Sequence, residues 1–431
     1  MTKLKLLFYT NLLNGPLNVC SAVASTLLDK YFDKIEVYFL TDLIWANKLS
    51  ERDSRFKFEI YKLAKNDDED NMNNMIENLE KSLNLPYVER YAEICQAFLD
   101  NTENLIFVEK QISDIIERLK PNYILCDLMT QTPSVIKSKI PYGFIISFNP
   151  LALSFDDYPP MGLDIGVNDK EEIKSSKIKL EKAIKNSKKN YELIFHKMNV
   201  KYDKEYSMFA PRSDYLSIYC YPKELDYYND EIRKKYKLLQ IDSPIITSKL
   251  PEPYKLPETF ANLPGKIIYV SLGSLFSLYY TKIQKLIDVL AELPYKYIVS
   301  KGHNGCKIRF PNNRFIGENF INQLAVLQVV DMMIAHGGNN TFTECFYFGI
   351  PVIIIPLVSD QINNAKRIEE TGFGYRVDLM NFTQEELKYK IHKVLTDETL
   401  NKKVQKVSQR IKNENKLVKV VDEIFNYIQK I

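Results

Sequence analysis

The sequence predicts an α/β protein with two doubly wound, Rossmann-like domains that face each other across a cleft. Its 431 residues exceed the size of one ordinary core, and strand-like and helix-like segments alternate through both halves. A cluster of prolines separates the halves: Pro244, Pro251, Pro253, Pro257 and Pro264. We therefore expect an N-terminal domain over 1–242, a Pro-rich linker over 243–264, and a C-terminal domain over 265–431 whose terminal helix packs back.

The first half alternates short apolar runs with amphipathic segments. "KLKLLFYT" and "KIEVYFLT" predict strands on either side of a helix, "VCSAVASTLLDKYF". "EKQISDIIERLK" predicts a helix stopped by Pro121, and "NYILCDL" and "GFIISF" are typical of buried parallel strands. Residues 156–200 form an excursion that continues as one Lys/Glu-rich amphipathic helix, suited to a lid or to one wall of a substrate site.

After the prolines the alternation resumes. Strands are predicted at "KIIYVSLGS", "KYIVS", "NRFIG", "DMMIAHGG" and "PVIIIP". Helices are predicted at "YTKIQKLIDVLAEL", "QLAVLQVV", "NTFTECFYFG" and "DQINNAKRIEETG", and again near the C-terminus. Repeated βα units of this kind favour a mostly parallel sheet covered by helices.

Composition excludes several classes of function. The 58 basic and 55 acidic residues give a formal net charge of +3, so nothing favours nucleic acid or an anionic membrane as a partner. The sequence shows no signal-peptide pattern and no apolar stretch of membrane-spanning length, which predicts a cytoplasmic protein without a membrane anchor. Six isolated cysteines without C-x-x-C spacing fit reduced thiols.

The passage "AHGGNNTFTECFYFGIPVIIIPLVSDQINNA" carries the chemistry. A strand ends at Ala335, a glycine pair turns the chain, and a helix is predicted from near Asn340, where backbone N–H groups and the helix dipole suit a phosphate. Asn340 and Thr341 are cap-type residues that could also donate to phosphate oxygens, and His336 could bind a pyrophosphate oxygen. Glu344, one turn further on, could accept from a ribose diol.

Two further strand-to-helix junctions lie in the same half. One places Asp360 and Gln361 after "VIIIP", where an acceptor and a donor side by side suit sugar hydroxyls. The other, "VSLGS", places Ser274 at a third junction. Each glycine-rich turn is a weak signal alone, and three in one domain predict a nucleotide-sugar site.

Taken in order, these residues resemble the signature of the family 1 nucleotide-sugar glycosyltransferases of GT-B fold. That signature combines H-G-G-x-N-[ST]-x-x-E, a G-[IV]-P turn, P-x-x-x-D-Q and N-A-x-R, preceded by aromatic-x-x-Gln-x-x-x-Leu. The spacing is closest to soluble macrolide-type and arthropod members. The matching residues are Phe320, Gln323, Leu327, His336, Gly337, Gly338, Asn340, Thr341, Glu344, Gly349, Ile350, Pro351, Pro356, Asp360, Gln361, Asn364, Ala365 and Arg367.

The resemblance implies a UDP-sugar co-substrate, with no metal and no other cofactor. It implies that Phe320 packs on uracil and that Ile321 and Gln323 contact the base edge and ribose. Glu344 would hold the ribose, and Asp360 with Gln361 the transferred sugar. The implied diphosphate ligands are Ser274, His336, Gly338, Asn340 and Thr341. The D-x-D pattern in "DDED" at 67–70 follows no apolar strand, so we interpret it as a solvated loop.

The family's acceptor-side base departs from the pattern here. Members carry G-H-x-N after the first strand, and an aspartate at the end of a later strand orients that histidine. Here "GPLN" places Pro16 at the histidine position, while Asp127 matches the aspartate. A proline in the first turn of a helix is tolerated, so the change is chemical more than structural.

Three interpretations of Pro16 stay open. The acceptor could need no deprotonation, as for an amine, a thiolate or a carboxylate. Asp127 or another group could serve as the base. Transfer could be lost, leaving a UDP-sugar-binding protein. We expect an inverting transfer of a sugar, with glucose as the first candidate, to a small lipophilic acceptor bound near Asp127. The stretch "ISFNPLALSF" and the excursion are expected to line the acceptor site. A nucleotide-sugar epimerase is the alternative enzyme class.

Overall fold

The computed structural model describes residues 2–63, 82, 85–99, 102–128, 131–202, 213–273, 280–302 and 305–431. Its internal contacts divide the chain into two compact units. The first unit comprises Met1–Pro244 together with Asn415–Ile431, and the second comprises Ile245–Glu414. The last segment of the chain therefore belongs to the first unit.

The first unit contains a seven-stranded sheet in the order β3-β2-β1-β4-β5-β6-β7. All of its strand pairs are parallel. Because β1 lies at the point where the order reverses, the unit is doubly wound, as the sequence predicts. The strands are β1 Leu4–Thr10, β2 Ile35–Thr41, β3 Lys57–Ile60, β4 Tyr123–Asp127, β5 Tyr142–Ile146, β6 Ser217–Cys220 and β7 Leu238–Ile241.

Helices cover both faces of this sheet, and 3-10 turns occupy Pro150–Leu153 and Lys223–Leu225. The final helix of the chain is one of the helices of this unit. The helices are α1 Asn14–Tyr31, α2 Leu43–Arg52, α3 Tyr87–Leu99, α4 Thr102–Leu119, α5 Pro133–Ser138, α6 Lys170–Ala183, α7 Lys185–Lys197, α8 Asp230–Lys235 and the final helix α16 Lys416–Ile428.

The second unit repeats the plan with six parallel strands in the order β10-β9-β8-β11-β12-β13. The strands are β8 Ile267–Ser271, β9 Lys296–Ser300, β10 Phe315–Glu318, β11 Met332–Ala335, β12 Val352–Ile354 and β13 Gly374–Arg376. The helices are α9 Glu258–Ala261, α10 Tyr280–Leu290, α11 Gln323–Val326, α12 Asn339–Phe348, α13 Asp360–Thr371, α14 Gln384–Thr396 and α15 Glu398–Glu414. Short 3-10 turns lie at Thr247–Lys249 and Gly305–Lys307.

The prediction of one continuous helix in the 156–200 excursion is wrong. The segment forms two helices, α6 and α7, that break at Ile184. Ile184 is buried in an apolar cluster with Tyr91 and Cys95 of α3 and with Tyr191 and Phe195 of α7. Burial of these side chains fixes the break. The hydrophobic periodicity did not predict it, because the segment is dominated by charged residues.

The C-terminal helix and the Pro-rich stretch are each held by contacts within their own unit. The ring of Phe425 on α16 stacks on Tyr31 of α1 with centroids 3.8 Å apart, and the Tyr31 hydroxyl donates to Asp422 (2.6 Å). In the second unit, the Pro-rich stretch is held by two hydrogen bonds, from Tyr254 N to the Ala325 carbonyl (3.1 Å) and from Gln328 Nε2 to the Pro251 carbonyl (2.9 Å).

A buried carboxyl group lies within the first unit. Glu109 of α4 is buried and accepts a hydrogen bond from the backbone N–H of Ser134 in the first turn of α5 (2.8 Å). Burial raises the pKa of Glu109 to about 7, and its interactions with Ser134 oppose that rise. The charged form is therefore the unfavourable one, because a buried carboxylate loses its hydration.

We expect Glu109→Gln to stabilise the protein at pH 8. With its pKa raised, the Glu109 contribution to the free energy of unfolding is fully present below about pH 4.5 and is lost as the pH rises through about 7. Glutamine keeps the acceptor and carries no charge, so the gain at pH 8 is about 2–3 kcal/mol and shrinks at acid pH. Urea unfolding at several pH values measures it. The control is Glu117→Gln on the exposed face of α4, and an equal gain there would contradict the assignment.

Candidate functional site

Three strands of the second sheet end side by side at its carboxyl edge. Ala335 at the end of β11 pairs with Ser271 of β8 on one side and with Ile354 of β12 on the other. The loops that follow these strands contain the three predicted junctions. The structure therefore brings the "SLG", "HGG" and "DQ" segments to one edge, which is where ligands bind to open α/β sheets.

The glycine turn after β11 is tightly constrained. Gly337 adopts φ +85°, and a Cβ atom there would lie 2.4 Å from Ile354 Cγ2. Its carbonyl accepts a hydrogen bond from Asn364 Nδ2 of α13 (2.8 Å), and Asn364 is fully buried. Only glycine fits this conformation and this space, and α13 holds the turn in place.

The imidazole of His336 is packed between two glycines. Cβ atoms added at Gly273 and at Gly338 would lie 3.1 Å and 2.5 Å from His336 Nε2. Burial lowers the pKa of His336 to about 4. The ring is therefore neutral at physiological pH, so it can offer a hydrogen bond to an anion and no positive charge.

Helix α12 begins directly after this turn. Gly338 occupies the N-cap position and supplies no side-chain cap, and the first intrahelical bond runs from Phe342 N to the Gly338 carbonyl (3.0 Å). The predicted ligands Asn340 and Thr341 lie in the first turn. The N–H groups of a first turn have no intrahelical acceptor, so the helix start and its dipole suit an anionic ligand.

Glu344, one turn along α12, belongs to a buried hydrogen-bond network. Gln323 Nε2 donates to Glu344 Oε2 (2.5 Å) and to Thr341 Oγ1 (3.1 Å). Burial raises the pKa of Glu344 to about 7, and the bond from Gln323 lowers it by less. The structure thus joins three predicted site residues that lie up to 21 positions apart in the chain.

The predicted base-binding residues lie next to this network. Phe320 follows β10, and 60% of its surface is exposed. Ile321 is half-buried, and Asn322 caps α11 by accepting from Ala325 N (3.4 Å). An exposed aromatic ring three residues before Gln323 offers a flat surface on which a base could stack.

The junction between β12 and α13 is strained. Ser359 adopts φ +55° and ψ −138°, a conformation that non-glycine residues rarely adopt. Asp360 and Gln361 follow it at the start of α13, and both are buried. Gln361 Oε1 accepts from the backbone N–H groups of Leu357 (3.0 Å) and Val358 (3.3 Å). Its oxygen therefore holds its own loop, which leaves its NH₂ group as a donor for a sugar hydroxyl.

The acceptor-side residues lie at the carboxyl edge of the first sheet. Pro16 is buried as the third residue of α1, before the first helical hydrogen bond from Leu17 N to the Leu13 carbonyl (3.2 Å), so the helix tolerates it. Asp127 ends β4, pairs with Thr10 of β1 and is 1% exposed. Burial raises the pKa of Asp127 to about 7, while Ser147 and Cys20 lower it.

Sequence reasoning missed the partner of Asp127. Cys20 Sγ donates to Asp127 Oδ2 at 3.8 Å, and Cys20 lies four residues after Pro16 on the same helix. Burial raises the pKa of the Cys20 thiol, which is therefore the neutral donor. The spacing of one helical turn from the position of the absent histidine is the signal that could have identified it.

Two predicted features fall outside the described residues, namely Ser274 and the "DDED" segment at 67–70. Among the residues that the structure describes, no group of three or more His, Cys, Asp or Glu side chains could hold a metal ion. Within the same ranges, every helix is too short or too polar to cross a membrane.

Comparison with solved structures defines the class of this fold. The chain is similar over 99% of its length to the glycotransferase of kitacinnamycin, with a TM-score of 0.75 and 16% identity over all of that chain. It is similar over its whole length to CalG4, the calicheamicin glycosyltransferase, with a TM-score of 0.67 and 13% identity. The two parallel-sheet units are therefore those of a GT-B glycosyltransferase fold.

Comparison of sequences shows which family the second half of the chain matches. The sequence model described as "UDP-glucoronosyl and UDP-glucosyl transferase" matches residues 247–428. The uncharacterized UDP-glucosyltransferase YdhE of Bacillus subtilis is 26% identical over 166 residues, or 38% of this chain and 42% of that protein. The putative UDP-glucuronosyltransferase ugt-50 of Caenorhabditis elegans is 29% identical over 116 residues, 25% of this chain and 22% of that protein.

Residues 247–428 thus match the family of UDP-glucuronosyl and UDP-glucosyl transferases, which supports a family 1 glycosyltransferase. The matched stretch spans less than half the length of these relatives. It contains all the described residues of the predicted donor site, from Phe320 to Gln361, and neither Pro16 nor Asp127.

We expect Gly338→Ala to weaken binding of UDP-glucose about tenfold, because the new methyl group would overlap the His336 ring and overpacking costs about 1–3 kcal/mol. Isothermal titration calorimetry measures the affinity. In a His336→Ala background the ring is gone, so adding Gly338→Ala should cost much less. If the two effects were simply additive, the contact with the ring would not be the cause.

We expect affinity for UDP-glucose to rise between about pH 6 and pH 8. A ribose diol donates to Glu344 best when that carboxyl group is ionised, and its pKa is about 7 without ligand. Below that pKa the loss approaches about tenfold per pH unit. Calorimetry on Glu344→Gln, which cannot ionise, should give weaker binding that no longer depends on pH in this range. An unchanged pH slope would assign the dependence to another group.

Proposed function

We propose that this protein transfers a sugar from a UDP-sugar to a small lipophilic acceptor with inversion at the anomeric carbon. Glucose is the first candidate for the sugar. The network of Gln323, Thr341 and Glu344 carries the proposal. It sets a carboxyl group one turn beyond a helix start that suits a diphosphate, and acidic residues bind the ribose hydroxyls in dinucleotide-binding folds.

The donor side is proposed to work without a metal ion. The helix start of α12, the neutral His336 ring and the cap-type side chains of Asn340 and Thr341 would stabilise the departing diphosphate through hydrogen bonds. Asp360 and the NH₂ group of Gln361 would hold the hydroxyls of the sugar, next to the turn that Asn364 fixes.

The proposal that the acceptor is lipophilic rests on the rim of the first sheet. Exposed aliphatic side chains follow three neighbouring strands at the carboxyl edge: Leu13 after β1, Leu43 and Ile44 after β2, and Ile60 at the end of β3. Leu43 and Ile44 are 65% and 66% exposed. A concentration of exposed apolar side chains beside Asp127 favours an apolar ligand there. The "ISFNPLALSF" stretch contributes less, because Leu151 and Leu153 are core residues.

The reacting group is proposed to be an amine, a thiolate or a carboxylate. General-base assistance is worth about 10²–10⁴-fold, which decides the rate for an alcohol of high pKa. Pro16 offers no such assistance at the position where family members carry the histidine. A nucleophile with a lone pair already available depends on it far less.

An acceptor screen with the wild-type protein and Pro16→His tests the proposal. UDP-glucose and other UDP-sugars are paired with phenols, amines, thiols and carboxylic acids, and products are measured by mass spectrometry. We expect glucosides of amines, thiols or carboxylates from the wild type, and a gain of about tenfold or more on phenols with Pro16→His. If Pro16→His gave no gain on phenols, the carboxyl edge at Pro16 would face away from the reacting centre.

The same screen separates the alternatives. A UDP-sugar-binding protein without transfer would bind UDP-glucose in calorimetry and give no product with any acceptor. A nucleotide-sugar epimerase would convert UDP-glucose into another UDP-sugar with no acceptor present. Either result would overturn the proposed transfer.

A further inference from the structure

Asp127 lies at the carboxyl edge of the first sheet, at the end of a central strand. It ends β4, its carbonyl accepts from Asn11 N (3.0 Å), and it pairs in register with Thr10 of β1. The carboxyl group is therefore fixed at the carboxyl edge, directly beside the loop that leads from β1 into Pro16. In an open α/β unit this edge is where a substrate meets the protein.

Cys20 approaches the same carboxyl group from α1. Its thiol donates to Asp127 Oδ2 from one helical turn beyond Pro16. A thiol can donate only while it is protonated, and Cys20 is fully buried, which keeps it protonated. The contact is therefore a neutral donor that orients Oδ2 of Asp127, and Ser147 also hydrogen-bonds to the same carboxyl group.

The surroundings of Asp127 come from four elements. Thr10 lies on β1, Cys20 on α1, Cys126 precedes Asp127 on β4, and Ser147 follows β5. Cys126 is itself buried. Burial raises the pKa of its thiol, and the charge of Glu109 on α4 raises it further. These groups hold the Asp127 carboxyl group by hydrogen bonds and burial, and none of them is a cation.

We propose that Asp127 accepts the proton that the acceptor group releases during sugar transfer, and that Cys20 is the positioning residue that holds Asp127 for this step. The inference rests on the proposed function and deepens it. It assigns acceptors that carry a proton on the attacking atom, above all primary and secondary amines. A buried asparagine would make the same structural contacts without the cost of ionisation in an apolar site.

The step balances as follows. The lone pair of the acceptor atom forms the new bond to the anomeric carbon, and the bond from that carbon to the diphosphate oxygen breaks with its electron pair leaving on UDP. The proton of the attacking N–H or O–H passes to Asp127. Asp127 then returns the proton to solvent after the product leaves.

The test compares Asp127→Asn, Cys20→Ser and Cys20→Ala with the wild type on a primary amine acceptor and UDP-glucose, across pH 5–9. Asp127→Asn should lower kcat by about tenfold, less than the full value of about 10²–10⁴-fold for general-base assistance because an amine already has an available lone pair, while leaving the affinity for UDP-glucose unchanged. Cys20→Ala removes a donor to the carboxylate, so the acid limb of the kcat profile should shift to higher pH. Cys20→Ser restores a donor and should keep the limb at or below its wild-type position.

Cys95→Ala is the matched control, because Cys95 is a buried cysteine of the same unit that packs in the apolar cluster around Ile184. It should lower thermal stability without moving the acid limb. A role of Cys20 in packing alone would make Cys20→Ala behave like this control, and that result would overturn the proposal. Should Asp127→Asn fail to fold, the difference between the two Cys20 variants decides by itself.

The outcomes separate this inference from the proposed function. Transfer that survives Asp127→Asn within threefold, or an acid limb that no Cys20 variant moves, overturns the inference alone. Binding of UDP-glucose without product from any acceptor overturns both, and so does the absence of UDP-glucose binding.

Discussion

The geometry of the donor site depends on one buried hydrogen bond, from Asn364 on α13 to the carbonyl of Gly337. This bond holds the glycine turn in a conformation with positive φ that other residues would resist. This glycine turn fixes the direction in which α12 leaves the sheet. It also fixes the space between two glycines in which His336 lies. A side chain of α13 thus positions the glycine turn after β11, and a ligand would meet both as one surface.

Burial has opposite effects on the two kinds of ionisable group at the candidate sites. It lowers the pKa of His336 to about 4 and raises those of Glu344 and Asp127 to about 7. In each case the neutral form gains, because the charged form loses its hydration. A diphosphate bound at the start of α12 would therefore meet dipoles and neutral donors, and both carboxyl groups have pKa values near neutral pH.

The two units differ in how far sequence similarity extends. The family match covers residues 247–428, whereas similarity to solved glycosyltransferases covers nearly the whole chain at 16% identity or less. Nucleotide recognition requires specific residues at a fixed spacing, and the first unit requires only a parallel sheet that can hold an acceptor. In that unit Pro16 lies where the sequence resemblance predicts the base, and Cys20 contacts Asp127, the aspartate that such a base would contact.

The sequence by itself determined the fold class and predicted the candidate donor residues, because the βα periodicity and the spacing from His336 to Gln361 are local properties of the chain. It did not predict the short strands β3, β6, β7 and β13, which have three or four residues each and owe their place to neighbours in the sheet. Only the tertiary structure decided that the excursion breaks at Ile184 and that Gln323 meets Glu344. It also decided that Cys20 meets Asp127 across 107 residues of sequence. Contacts of this kind, and the pKa values that follow from them, depend on packing between elements that are far apart in the chain, and packing at a distance leaves no local pattern in the sequence.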